Sequence, residues 1–221
     1  MMIAVITADL IDSTKYDKKT LAFILEELQK EFKVLEQDYP RQVHFDMFRG
    51  DSFQGVLKSS EHALRIALRL KATVTKAQLD PMISKAVIPV GDVRIAIGVG
   101  TGDFPEAQTH TANGEAYQRS GRLLDGMKSL GRKTQFICGE GSVNDEFDTT
   151  FAFLDNVTDR WSVASSEVIY YLLKGFKEQE IADTLERSQA AINLRKKAAS
   201  WQEIQGLLKR FESVINTLDH E

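Results

Sequence analysis

Two hydrophobic periods alternate along the first half of the chain. Residues 2–10 form a near-continuous apolar run rich in β-branched side chains, which is typical of a central strand covered on both faces. Apolar residues at helical spacing then predict an amphipathic helix over 18–38. Two alternating segments, 43–47 and 53–57, flank a Gly-Asp turn and therefore predict a β-hairpin.

The pattern then repeats in the same order. A second helical stripe covers residues 63–74, and strict alternation returns at 93–99 before a cluster of glycines. The order strand, helix, strand, strand, helix, strand matches the split βαβ plan of ferredoxin-like folds. A further helix near 114–128 and a short strand in TQFICG extend this plan. We therefore predict an α+β fold in which an antiparallel sheet carries helices on one face.

Strand patterns stop near residue 140, and helical spacing continues to the end of the sequence. Short helices separated by three or four residues are typical of a helix-turn-helix unit. We predict an α+β domain over 1–145 and a small all-α helix-turn-helix domain over 158–221, with the boundary between 140 and 160.

Composition narrows the class of protein. The 221 residues are 43% apolar and 27% charged, which is ordinary for a globular chain. The formal net charge of −4 provides no overall basic field for nucleic acid or an anionic membrane, so any DNA binding must be local. The sequence has one cysteine, no basic-then-apolar leader and no run of about 18 apolar residues, and this predicts a cytoplasmic protein.

Two aspartates interrupt positions where the strand pattern favours burial: Asp9 in TADLIDST and Asp51 in FRGDSF. If the first strand and the hairpin lie side by side, the two carboxylates converge. Hard carboxylate oxygens suit Mg²⁺, which takes one or two of them and completes its shell with phosphate and water. Because two carboxylates at that distance repel each other, we expect a cation, a proton or a basic residue between them.

These stretches resemble the metal-binding segments of class III nucleotide cyclase domains. RIAIGVGTGD is similar to the strand and glycine turn before the substrate region of that family, and GEAYQRSGRLLD is similar to its catalytic helix. The resemblance implies Mg²⁺ or Mn²⁺ at Asp9 and Asp51 together with a nucleotide, and a homodimer with sites at its interface. It also implies further roles: phosphate or ligand binding for Ser13, Thr14 and Gly50, and catalysis for Arg122 and Gln118.

Departures from the family pattern count against catalysis. Arg122 matches the arginine that steadies the transition state, but Gln118 stands where the family has an asparagine. Met47 stands where adenine-reading members have a lysine, and a thioether supplies neither that hydrogen bond nor that charge. The acidic residue that would read the purine is not evident in FPEAQTHTANGE.

Each of these residues also has a simpler explanation. Asp9 and Asp12 could cap the next turn, and Asp51 could be an ordinary turn residue, since Gly-Asp is common turn chemistry. Arg122 could pair with Glu115 or Asp125 on its own helix. The four histidines show no metal-ligand spacing, so we assign them no metal.

The segment KEQEIADTLERSQAAINLRKKAASW resembles the paired helices of bacterial transcription regulators. Ser188 is a good N-cap, and Gln189 would start the recognition helix. Gln and Asn side chains can read the edges of adenine, and Arg or Lys side chains can bind guanine or phosphate. The exposed, DNA-binding face of that helix is predicted to carry Asn193, Arg195, Lys196 and Lys197.

The charge of this tail is nearly balanced. Nine Lys and Arg face ten Asp and Glu in residues 158–221, so useful DNA affinity would require a dimer. The alternative is a helical interaction or dimerisation tail with a solvated basic cluster. Together with RKKAASWQEI, the two parts resemble the bacterial SatD family, which implies a cytoplasmic protein of this architecture.

Three functions therefore stay open. The leading hypothesis is a DNA-binding transcription regulator whose degenerate cyclase-like domain senses a nucleotide or another phosphate-bearing ligand with Mg²⁺. The rival is an active metal-dependent nucleotidyl cyclase, a phosphorus-oxygen lyase, or another nucleotidyl transferase. The third is a protein-interaction module with neither activity.

Overall fold

The computed structural model of the chain describes residues 1–48, 50–79, 88–104 and 113–218. One five-stranded sheet has the order β2-β3-β1-β4-β5. Its strands are β1 (Met2–Leu10), β2 (Val43–Phe48), β3 (Ser52–Leu57), β4 (Val93–Thr101) and β5 (Thr134–Ile137). In the described ranges the helices are α1 (Lys18–Asp38), α2 (Ala63–Lys76), α3 (Glu115–Leu130), α4 (Gly141–Thr158), α5 (Val163–Leu173), α6 (Glu178–Thr184), α7 (Gln189–Ala198) and α8 (Trp201–Leu218).

The first four strands have the predicted ferredoxin-like arrangement. β1 is central and pairs antiparallel with β3 on one side and with β4 on the other. β2 pairs antiparallel with β3 at one edge, as the hairpin pattern predicts. β5 extends the other edge and runs parallel to β4, so the predicted short strand is confirmed in a sheet that is not wholly antiparallel.

Helices cover both faces of this sheet. Alternate residues of β1, among them Ala4 and Ile6, share a buried cluster with α1 and α2. The intervening residues, Ile3 and Val5, pack against Ala116 of α3 on the opposite face. The prediction of helices on one face therefore holds for α1 and α2 and is wrong for α3. The near-continuous apolar run of β1 is the pattern that burial on both faces requires.

A glycine lets α3 approach the sheet closely. A Cβ built on Gly98 of β4 would lie 2.5 Å from the backbone oxygen of Ala116 and 2.6 Å from the backbone nitrogen of Ser120. Both contacts are with backbone that cannot move aside. The glycine cluster that ends the alternating segment 93–99 therefore sets the depth at which α3 packs.

The helical tail packs on the sheet region and shares its core. One continuous cluster of buried residues includes side chains of β1, α2, α5 and α8. Four phenylalanine rings join β5 to α4 and α8, with centroids 5.2–6.5 Å apart: Phe136, Phe147, Phe151 and Phe211. No helix in the described ranges is both long and apolar enough to cross a bilayer.

A buried ion network joins α1, α2 and α5. The Arg69 guanidinium, with 2% of its side chain exposed, donates to Glu31 at 2.6 and 3.0 Å and to Asp38 at 2.8 Å. Tyr170 of α5 donates its hydroxyl to the other oxygen of Glu31 at 2.6 Å. Because each buried charge has a partner, loss of one member would leave an uncompensated charge in the core.

Candidate functional site

Strand pairing brings the two predicted aspartates to the same end of the sheet. Asp9 of β1 lies opposite Ser52 of β3, the residue directly after Asp51. The backbone N–H of Leu10 donates to the carbonyl of Asp51 at 3.1 Å, which ties the two segments together. Gly50 supplies the positive φ of 76° that the hairpin turn needs.

A basic residue stands beside the pair, as one of the three sequence alternatives anticipated. Arg94 of β4 lies opposite Asp9 on its other side, and its guanidinium donates to both carboxylate oxygens of Asp9, each at 2.9 Å. The hydrogen bond to Asp9 raises the pKa of Arg94 against the effect of burial, and the charges of Asp12 and Asp51 raise it further. The guanidinium is therefore the positive charge shared by this acidic cluster.

The loop after β1 folds back onto the hairpin turn. Ser13 donates its hydroxyl to the carboxylate of Asp51. Asp12 adopts a left-handed conformation, with φ of 55°, and forms an exposed ion pair with Lys15 at 2.7 Å. The hydrogen bond from Lys15 holds the pKa of Asp12 below its ordinary value. Thr14, the other predicted ligand residue of this loop, is exposed and has no side-chain hydrogen bond within the described part of the chain.

The carboxylate oxygens of Asp9 and Asp51 suit Mg²⁺ or Mn²⁺, but Arg94 competes with a metal ion for the carboxylate of Asp9. Two carboxylates match the number that Mg²⁺ normally takes from protein. Both oxygens of Asp9 are already bound to the guanidinium, and Asp51 is bound by Ser13. Across the described ranges, no group of three or more His, Cys, Asp or Glu side chains could hold a metal ion. A cation that binds the carboxylate of Asp9 would therefore compete with Arg94.

The predicted catalytic pair makes no hydrogen bond or ion pair with the paired aspartates in the described part of the chain. Gln118 and Arg122 are exposed on α3, whose buried side faces the sheet through Ala116 and Ser120. Neither side chain makes a hydrogen bond or ion pair with any residue that the structure describes. The suggested pairing of Arg122 with an acid of its helix is wrong for Glu115, which instead lies 3.5 Å from Arg119.

The predicted base-reading position Met47 adds no polar contact to the cluster. Met47 is half-buried and packs against the hydrophobic core. In the segment FPEAQTHTANGE, residues 105–112 lie outside the described residues. The candidate site is therefore built from β1, its following loop, the hairpin turn and β4.

The second predicted site is the helix pair, which we define as α6, α7 and the linker 185–188. Its local structure matches the sequence analysis. Ser188 is the N-cap of α7, and its hydroxyl accepts from the Ala191 amide at 3.2 Å. Ile181 and Ile192 are buried, so each helix contributes one anchor to the core. Gln189 begins α7 and is exposed, as predicted.

Acidic residues outside α7 bind most of its predicted exposed face. Lys196 forms an ion pair with Glu178 at 2.6 Å, and Asn193 donates to the other oxygen of Glu178 at 3.4 Å. The Arg195 guanidinium lies 3.7 Å from Glu167 of α5. The prediction of a free reading face is therefore wrong for these three side chains, which are half-buried. Lys197 is exposed.

Sequence reasoning missed Arg94 and Glu178, which decide the electrostatics of the two sites. Arg94 is a charge inside the alternating segment 93–99, and this departure from the pattern was a usable signal. Its parity places it on the α3 side of β4, where Asp9 also lies. Glu178 offers no comparable signal, because an acid in the first turn of a helix is ordinary.

The sequence matches no protein-family model and no curated protein. Among solved structures it is similar to a bacterial light-regulated adenylyl cyclase, with 12% identity, a TM-score of 0.42 and coverage of 62% of this chain and 42% of that one. It is also similar to a guanylate cyclase domain from Catenaria anguillulae in complex with GTP, with 16% identity, a TM-score of 0.40 and coverage of 56% of this chain and 72% of that one. A third similar structure is the active GGEEF domain of a diguanylate cyclase from Vibrio cholerae, with 16% identity, a TM-score of 0.39 and coverage of 63% of this chain and 84% of that one. At such identities the chemistry has to come from the chain's own residues.

Proposed function

We propose that the chain senses a nucleotide or another phosphate-bearing ligand at the sheet edge, where Asp9, Asp51, Ser13 and Arg94 meet. One observation carries this proposal: the guanidinium of Arg94 is held by both oxygens of Asp9, directly beside the turn that carries Asp51. Guanidinium groups bind carboxylate and phosphate oxygens with the same bidentate geometry. A phosphate group can therefore take the place of Asp9 as the partner of Arg94.

This exchange links ligand binding to metal binding. When Arg94 turns to a phosphate, the carboxylate of Asp9 loses its partner next to a second carboxylate, and two such groups favour a cation between them. Mg²⁺ or Mn²⁺ bound there would balance the charge of the acids and of the phosphate. Ser13, Thr14 and Gly50 flank the same position, and we assign them to the ligand side of the site.

Thermal shift measurements with nucleotides test the proposal. The samples are the wild type, Asp51→Asn and Asp145→Asn, each with and without Mg²⁺. Asp145 is a matched control because it is an exposed acid on α4 without an ion pair in the described ranges. A ligand at 100 times its dissociation constant stabilises the folded state by about 2.7 kcal/mol. We expect Mg²⁺ to add to the nucleotide shift in the wild type and in the control, and to add nothing in Asp51→Asn.

The outcome is decisive in either direction. An increase of equal size on adding Mg²⁺ in all three proteins would place the metal-dependent ligand elsewhere and would remove this function from the sheet edge. The absence of a shift with every nucleotide and with pyrophosphate would leave the aspartates as turn residues.

The capped helix α7 favours DNA binding as a second function, which would make the protein a transcription regulator. Ser188 and Gln189 lie at the exposed start of α7, and Lys197 is exposed near its end. We expect weak, salt-dependent binding to a genomic DNA pool, measured by fluorescence anisotropy at 50 and 200 mM salt, and weaker binding by Lys197→Gln. No binding at the lower salt concentration would remove DNA from the list of partners.

Catalysis is the rival function of the sheet edge. The exposed positions of Gln118 and Arg122 mean that they could serve a second chain's site, in keeping with the homodimer that the cyclase resemblance implies. A sensor turns over none of the four nucleoside triphosphates with Mg²⁺ or Mn²⁺. Turnover that disappears in Asp51→Asn and in Arg122→Ala would establish an enzyme instead.

A further inference from the structure

A second cleft, distant in sequence from the paired aspartates, lies between the sheet region and the helix pair. Its volume is about 430 Å³. The end of α2, the first turn of α5, the linker 185–188 and α7 all contribute to its walls. The residues that matter for its chemistry are Phe23, Lys76, Glu167, Arg187 and Arg195.

Lys76 is the most enclosed cation of this cleft. Burial lowers the pKa of its ammonium, and no carboxylate of the described residues lies within ion-pair distance of its Nζ. The Nζ atom sits 4.5 Å from the centroid of the Tyr170 ring, a contact that supplies only part of the stabilisation of an ion pair. A half-buried cation of this kind, which the charges of Glu27, Glu31 and Glu167 stabilise only from beyond ion-pair distance, favours an anion in the adjoining space.

Two arginines reach the same cleft from the helix pair. Arg187 is exposed, and its guanidinium makes one hydrogen bond, to the backbone carbonyl of Glu186 at 3.2 Å. Arg195 lies 3.7 Å from Glu167, which is beyond hydrogen-bond distance. Each arginine therefore keeps N–H donors for another acceptor.

Acidic residues only partly offset these three cations. Glu27 also lines the cleft, but it forms an ion pair with Lys30 at 2.9 Å. Glu167 is the other lining carboxylate among the described residues, and the cation nearest to it is Arg195 at 3.7 Å. The first turn of α5 adds the positive end of a helix dipole to the same wall.

We propose that this cleft binds a small phosphorylated molecule, with the phosphate held between Lys76, Arg187 and Arg195. The half-buried ring of Phe23 lines the cleft as well and offers a stacking surface, which favours a ligand with a flat ring, such as a nucleoside monophosphate. This site needs no divalent cation, because its three cations outnumber the lining carboxylates Glu27 and Glu167. It is independent of the function proposed for the sheet edge.

Occupation of the cleft would connect the two parts of the chain. Lys76 belongs to the last turn of α2, whereas Arg187 and Arg195 belong to the linker and to α7. A phosphate held by all three fixes α7 against the sheet region. Binding would also draw Arg195 away from Glu167, so the surface of α7 changes with the ligand.

Isothermal titration of the whole chain with AMP and with pyrophosphate, in EDTA, tests the proposal. The variants are Lys76→Met and Arg187→Gln, and the control is Arg160→Gln, which alters an exposed arginine without a side-chain partner in the described ranges. We expect the wild type and the control to bind AMP, and each variant to bind it at least tenfold more weakly. Arg187 is exposed, so Arg187→Gln remains informative if Lys76→Met does not fold.

Asp51→Asn separates this cleft from the sheet edge. We expect it to bind AMP in EDTA as the wild type does. Loss of binding in Asp51→Asn, with binding kept in Arg187→Gln, would assign the ligand to the sheet edge and overturn the second site. The absence of AMP and pyrophosphate binding to the wild type in EDTA would overturn it as well, and would leave the metal-dependent proposal untouched.

Discussion

The sheet edge and the helix pair differ in what the structure does with their charges. At the sheet edge, strand pairing collects Asp9, Asp51 and Arg94, which are far apart in sequence, into one partly exposed cluster. In the helix pair, Glu178 binds Lys196 and Asn193 and so removes them from the face where DNA would lie. Strand register therefore brings the residues of the sheet-edge site together. In the helix pair, by contrast, side-chain pairing occupies polar groups that DNA binding would need.

Removal of Asp9 should have the largest effect on stability. Asp9→Ala leaves the Arg94 guanidinium, with 13% of its side chain exposed, without its carboxylate partner. Hydrogen bonds to charged groups contribute about 1.5–3 kcal/mol, so we expect a loss of about 2 kcal/mol in the free energy of unfolding. For a chain of this size that corresponds to roughly 4–8 °C in melting temperature.

A double variant shows whether the loss of stability comes from the unpaired Arg94 guanidinium. Asp9→Leu/Arg94→Leu removes both partners, and it should be more stable than Asp9→Leu alone. Chemical denaturation of the single and double variants gives the coupling energy directly. Additive effects would mean that the two side chains do not interact, and the sheet edge would then resemble the helix pair in lacking a built site.

Removal of the N-cap should have a smaller effect, confined to the helix pair. Ser188→Ala takes away the side-chain acceptor of the Ala191 amide. The expected cost is about 1 kcal/mol, measured by chemical denaturation. Ser188→Asn is the conservative control because it keeps an acceptor at the cap. Equal losses in both variants would show that the hydroxyl does not act as a cap.

Neutralising Glu178 should free the two α7 side chains that it binds, Lys196 and Asn193. Glu178→Gln frees Lys196, which is partly exposed, and should cost less than about 1 kcal/mol in stability. If the helix pair binds DNA, the variant should bind a genomic DNA pool several-fold more tightly, with a steeper dependence on salt. Glu203→Gln on α8 is the control. No gain in the variant would count against α7 as the DNA-binding surface.

The pH dependence of the same ion pair should be the smallest effect. The hydrogen bond from Lys196 holds the pKa of Glu178 below its ordinary value, against a small opposing effect of burial. Its contribution is therefore present above about pH 4.3, the unfolded value, and is lost as the pH falls below it. The difference in melting temperature between wild type and Glu178→Gln should shrink between pH 5 and pH 3. A constant difference would contradict the pairing.

Much of the fold could be predicted from the sequence. The predicted ranges 18–38 and 63–74 correspond to α1 and α2, and the hairpin and strands follow the alternating pattern. The position of α3 was missed, since periodicity identifies the apolar side of a helix but not the face of the sheet that receives it. The sequence also could not predict that the sheet region and the tail share one core, because this core depends on contacts between segments that are distant in sequence.

The candidate site was predicted in part. The convergence of Asp9 and Asp51 followed from the expected strand order, and the need for a positive charge between them followed from electrostatics. The sequence left open whether that charge was a metal ion, a proton or a basic residue. The strand register places a basic residue, Arg94, opposite Asp9. A register is fixed only once the strands pair, so the partner of Asp9 could not be read from composition.

Titration with Mn²⁺, without nucleotide, tests most directly the claim that Arg94 occupies the position of a cation. We compare wild type, Arg94→Met and Arg210→Met by calorimetry; the control breaks a bidentate pair with Glu146 at 2.8 Å on another surface. We expect weak binding to wild type and control, binding at least tenfold tighter in Arg94→Met, and loss of that gain in Arg94→Met/Asp9→Asn. Equal affinity in Arg94→Met and wild type would contradict the claim.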